Sequence, residues 1–201
     1  MKKTVALVVL LLLLAASSAF AGRGFPLTLA GFTLGQDIDK YSDCCDKLSA
    51  TPIPDIPFLS EVHLKSDILP GIRGGSLAFA NTRDKDRLVR IKLKFHDRGT
   101  ALFDKLLAQY KKAFGNPDSY QGDTFRNVIA WQWDFSKDGQ RVCLVLMWSR
   151  DNEIRPGVSI KMTLDSLLDS EYEYFKKQTE QLEKKRGGPS RVQNLNDFIP
   201  R

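Results

Sequence analysis

The chain has 201 residues, with 30 Lys and Arg against 24 Asp and Glu, for a formal charge of +6. That length suits one well-buried core, and the mild basicity suits solubility and weak attraction to anionic surfaces. It falls short of the strongly basic stripe expected of a nucleic-acid binder, and no helix-turn-helix, zinc-finger or RNA-binding signature is present.

The N-terminus reads as an export signal. Lys2 and Lys3 precede an apolar run from Val5 to Ala16, and Ala19-Phe20-Ala21 places small residues where a signal peptidase cuts. The apolar run is about a dozen residues, whereas a membrane-spanning helix needs roughly 20. The expectation is therefore a cleaved signal peptide over 1–21 and a mature chain from Gly22, with no transmembrane segment and a net charge of +4. No Cys follows the cleavage site, so no lipid anchor is expected. The short Lys-Lys start points to a periplasm, with outright secretion as the alternative.

Export makes Cys44, Cys45 and Cys143 candidates for a disulfide. Three is odd, so at most one intramolecular bond forms. A bond from Cys44 or Cys45 to Cys143 would close a loop of about 100 residues, worth about 4–5 kcal/mol in the chain-entropy model. A vicinal bond and three free thiols are the other outcomes.

In the mature chain, residues 25–35 read as an opening strand or extended arm closing on Gly35. Ile38, Tyr41, Cys45 and Leu48 then recur at helical spacing, which predicts a helix over 36–48 and places Cys45 on its buried stripe. Cys45 is thus the favoured partner for Cys143. Pro52, Pro54 and Pro57 read as a stiff connection. Strands are predicted at Phe58–Lys65, Ser76–Ala80 and Leu88–Phe95, with Gly71, Gly74 and Gly75 as turn glycines. In the third strand Val89, Ile91, Leu93 and Phe95 share one face, and Arg90, Lys92 and Lys94 the other.

The next helix is predicted over 100–114. Leu102, Phe103, Leu106, Leu107, Tyr110 and Phe114 form its apolar stripe, and Gly115 its left-handed cap. Strands follow over 124–135, Arg141–Ser149 and Val158–Leu164, the first two joined by an Asp-Gly hairpin turn at 136–139. A last helix starts at Asp165 or Ser166 and runs to about Arg186, and 187–201 read as a flexible tail.

The order helix, three strands, helix, three strands predicts an α+β domain over 22–186. Its architecture is a single meandering antiparallel sheet of about six strands with two helices on one face, a possible duplication of an α-βββ unit, and a C-terminal helix.

A Gly-Phe-Thr-Leu-Gly opening (31–35), a short helix, strand meanders, and a helix ending in Phe-Gly-Asn-Pro (114–117) before the Trp131 and Trp133 hairpin carry a resemblance over residues 28–164. The chain resembles small exported α+β modules: the β-lactamase-inhibitor-like proteins and the outer-membrane assembly lipoproteins of the SmpA type. It lacks the lipidated N-terminal Cys of the latter. The resemblance implies a protein-binding or envelope-maintenance module rather than an enzyme.

Sites are sparse. Cys44–Cys45 beside His63 or His96 is the one arrangement with the residue types for a thiol enzyme, and it matches no known signature. Two histidines are too few to nominate a metal site, and no cofactor fingerprint is present. The stripe of Arg87, Arg90, Lys92 and Lys94 is a solvated strand face or a surface for an anionic partner. Trp131, Trp133 and Phe135 share the parity of a core face. Trp148 lies in a strand apolar on both sides, so one of its faces needs a cover. Arg90, Lys92, Lys94 and Trp148 are accordingly the candidate binding residues. The expected function is a non-enzymatic envelope protein that binds another protein or an anionic cell-envelope surface. A small periplasmic hydrolase or thiol enzyme is the competing expectation. N-terminal sequencing of the exported form should begin at Gly22; a start at Met1 would remove the basis for placing the protein outside the cytoplasm.

Overall fold

The computed structural model describes residues 24–151, 156–185 and 198–199. The expected signal peptide and nearly all of the expected tail lie outside the described residues. The chain opens with a small hairpin of β1 (Thr28–Leu29) and β2 (Phe32–Thr33) around Ala30 and Gly31. Both turn residues have positive φ, 50° and 88°, the requirement of a tight two-residue hairpin turn.

The helix predicted over 36–48 does not form. Two single 3-10 turns, Ile38–Tyr41 and Lys47–Ser49, stand in its place. Asp37 and Asp46 each accept a hydrogen bond from the backbone N–H two residues on, which starts a new turn at each point. The backbone between them bonds outward instead: Ile38 N–H donates to Asp86, and the Cys44 carbonyl accepts from Lys65. Tertiary pairing thus overrides the helical periodicity. Leu48, expected on the buried face, is 96% exposed, while Ile38 and Cys45 are buried.

The main sheet has eight antiparallel strands rather than six. They are β3 (Thr51–Ile53), β4 (Ile56–His63), β5 (Ile72–Ala80), β6 (Leu88–Phe95), β7 (Ser119–Tyr120), β8 (Val128–Lys137), β9 (Gln140–Ser149) and β10 (Gly157–Leu164). Their order is β3-β4-β5-β6-β10-β9-β8-β7, so two meanders meet along their final strands. The two additional strands are the edges. In β3, Pro52 is tolerated because an edge strand has one side free of ladder bonds. Only two residues make β7, too few for any alternation to be read.

One row of side chains crosses six strands by register: Val62, Leu77, Ile91, Met162, Leu144 and Trp133. All six are buried. Over them lies α1 (Thr100–Phe114), bounded as its pattern predicts and ended by Gly115 at φ 78°. Its Tyr110 and Phe114 meet Trp133 and Phe135 edge-on, at centroid distances of 5.6 and 5.1 Å. The Trp133 indole N–H donates to the Gly115 carbonyl at 3.0 Å, so the helix cap also serves a buried donor. The hairpin turn closes at Asp138 and Gly139, both with positive φ.

The alternation in β6 breaks at one point. Ala78 faces Arg90 and Phe79 faces Leu88, which leaves Val89 as a bulge. Leu88 therefore joins the main core, and Val89 joins a second cluster with Phe58, Leu59 and Ala80. That cluster is covered by α2 (Asp165–Lys185), which follows β10 directly and contributes Leu167, Leu168 and Phe175.

Glu171 of α2 is fully buried. Its carboxylate accepts from the Thr82 N–H and hydroxyl and from the Asp84 N–H, at 3.0, 2.5 and 2.5 Å. Three donors of the β5–β6 turn thus depend on one side chain, which pins the helix over the strand ends. Glu171→Ala would leave them unsatisfied, and urea unfolding should show a loss of about 3 kcal/mol, in the range for breaking a buried charged hydrogen-bond set. A loss under about 0.5 kcal/mol, typical of surface changes, would mean that the pin contributes nothing.

Candidate functional site

The face of the sheet opposite α1 is not covered in the same way. Register places its side chains in rows. The first is Glu61, Ala78, Arg90, Thr163, Cys143 and Asp134. The second is His63, Ser76, Lys92, Lys161, Val145 and Gln132, and the third is Gly74, Lys94, Ser159, Met147 and Ala130. The second and third rows, with Glu61 and Arg90 of the first, line a groove of about 730 Å³. Arg73 stands at one end, where it donates to the Phe95 and Pro156 carbonyls at 3.0 and 2.7 Å.

Five cations line the groove, Arg73, Arg90, Lys92, Lys94 and Lys161, against the single carboxylate of Glu61 among the described lining residues. Lys92 and Lys161 lie directly opposite each other on β6 and β10. Directly opposed like charges destabilise a strand pair, so the fold carries this arrangement at a cost. Glu61 offsets part of it. Burial disfavours its charge, but the Ser76 hydroxyl at 2.6 Å, Lys92 at 3.3 Å and the His63 charge hold its carboxyl below the ordinary range. Arg90 is the most enclosed cation. Burial lowers its pKa against the pull of Glu61 and Asp165, and its Nε finds no acceptor among the described residues.

The floor depends on Gly75. A Cβ there would lie 2.4 Å from the Lys92 carbonyl, so only glycine allows β5 and β6 to approach this closely. Gly74 and Gly75 are thus strand residues beside a register shift, not turn residues as the sequence pattern implied.

Arg90, Lys92 and Lys94 come together as the alternation of β6 predicts. Arg87 does not join them; it bonds the Gly35 carbonyl near the start of β6. Trp148 lies on the other face, in register with Val158 and Ile129, and donates its indole N–H to the Arg98 carbonyl at 2.9 Å. The apolar residues that β9 turns toward the groove are Val145 and Met147. Lys161, Glu61, His63 and Arg73 also belong to the site. The polar parity of Ser159, Lys161 and Thr163 is visible in the sequence, but the adjacency of β10 to β6 is not.

The structure holds all three cysteines as free thiols. The expected Cys45–Cys143 bond is absent for a simple reason. Cys45 packs into the α1-side core, while Cys143 points to the opposite face, in register with Asp134 and Thr163. Burial, then the charges of Asp165 and Asp134, push the Cys143 thiol up to about 12. Burial and the neighbouring Cys44 also raise Cys45. Such thiols are protonated at neutral pH and supply little nucleophile. His63 and His96 are both exposed, and the described residues contain no group of three side chains able to hold a metal.

Among the described residues no helix is long and apolar enough to cross a membrane. Comparison with protein-family models, with curated proteins and with solved structures finds no match.

A thiol whose pKa is raised in the folded state binds its proton more tightly there than in the unfolded chain. Its contribution to stability is complete below the unfolded value of 9.0 and is lost as pH rises toward about 12. Tyr110, raised by burial from 10.0 to about 12, acts in the same direction. The urea midpoint should therefore fall from about pH 8 to about pH 11, and less steeply in Cys143→Ser. Equal slopes for both proteins would exclude Cys143 as a source.

Proposed function

We propose that this chain is an exported, non-enzymatic envelope protein that binds another protein or an anionic envelope polymer on the open face of its sheet. One observation carries the reading: five cations line a groove whose described lining residues include one carboxylate. Sheet pairing opposes two of them directly, an arrangement that packing alone does not call for. An anionic partner would relieve that repulsion, so charge complementarity would set both its choice and its rate of capture.

The export signal over 1–21 supports a periplasmic location, with secretion as the alternative. The resemblance to small exported binding modules points the same way. The strand order joins two four-strand meanders at β6 and β10, with the groove floor built across their junction. The protonated thiols and exposed histidines lend the enzyme reading no support.

A photo-crosslinking amino acid in place of Lys94 should capture a partner in intact cells. In place of Lys105, on the exposed side of α1, it should not. Capture should weaken as salt is raised during washing of permeabilised cells, because the attraction is electrostatic. Equal capture at both positions, or none at Lys94, would sink the proposal.

A further inference from the structure

The groove is chemically divided. Its β5, β6 and β10 side carries Arg73, Arg90, Lys92, Lys94 and Lys161, and its β8 and β9 side carries Val145, Met147 and Ala130 with the amides of Gln132 and Gln121. We infer that the occupant is an extended acidic segment of another protein, with carboxylates over the cationic side and apolar side chains over the β8–β9 side. The inference rests on the open face being the binding surface, and goes further by choosing the class of partner.

Three considerations select that occupant. A polyanion presents charge along its whole length, so half of this floor would receive charge without a partner. A peptide with a carboxylate run beside apolar residues matches both halves, and the glutamine amides can bond its backbone N–H and C=O groups. From β4 to β8 the floor crosses six strands, about 24 Å at roughly 4.8 Å per strand spacing, which an extended peptide covers with about seven residues. The chain's own terminal segments do not fit. The leader carries Lys2 and Lys3 and no acid, and residues 186–201 carry three Arg and one Asp. A second copy would bring one basic groove to another.

The test is selection of a random nine-residue peptide library on the immobilised mature chain, with heparin as a separate polyanion probe. Enriched peptides should join a run of Asp or Glu to Leu, Ile, Phe or Met. A synthetic peptide of the enriched sequence should bind at least about tenfold more weakly to Lys94→Glu and to Met147→Glu, a loss of about 1.4 kcal/mol. It should be unchanged by Lys105→Glu, and all three variants should keep the native urea midpoint. Peptides enriched without carboxylates, or binding indifferent to both groove variants, would overturn the inference. Heparin binding lost in Lys94→Glu but kept in Met147→Glu, with no peptide enriched, would also overturn it while leaving the anionic binding face intact. If neither probe binds, both proposals fall.

Discussion

The antiparallel pairing of β6 with β10 is the constraint on which the rest of this molecule depends. It joins two meanders whose other strands are each linked to a neighbour by a short connection. One register then does two things. It sets Ile91 against Met162 on the α1 side, completing a buried row across six strands. On the other face it sets Lys92 against Lys161. Strand side chains alternate with period two, so core and groove cannot be adjusted separately. A slip by one residue would turn the lysines into the core and the core into water. The hydrophobic row makes such a slip costly, and this holds like charges opposite one another.

The two helices divide the work of covering the sheet unequally. Along the aromatic row α1 buries one face, with its C-terminal carbonyl taken by Trp133. At the strand ends α2 meets Phe58, Leu59, Ala80 and Val89, and stops sliding because Glu171 is bonded to the β5–β6 turn. The Val89 bulge makes this cover possible, since it turns an apolar side chain out of the main core and under the helix. The remaining part of that face stays open, and it is where the cations stand.

Much of the fold was legible in the residues. The alternation from Arg90 to Phe95, the Asp-Gly turn and the Gly115 cap have local causes, and each lies where its pattern placed it. The misreadings share a different cause. Helical spacing from Ile38 to Leu48 lost to backbone pairing with Asp86, Leu64 and Lys65, which are distant in sequence. The proline-bearing edge strand, the strand position of Gly75 and the face taken by Trp148 were likewise decided by neighbouring strands. Half of the candidate site was readable, because Arg90, Lys92 and Lys94 share one strand and one parity. Glu61, Arg73 and Lys161 were not, because they join the groove from other strands.

The sequence by itself determined which side chains share a face of each strand, since that parity is a property of the extended backbone. It also set the chain's mild excess of positive charge. Only the tertiary structure decided which strands are neighbours. That choice converted separate basic positions into one groove, sent Cys45 and Cys143 to opposite faces, and left Trp148 on the packed side. Local parity fixes the direction of a side chain, but strand order fixes the company it keeps, and strand order follows from burying all the apolar faces at once.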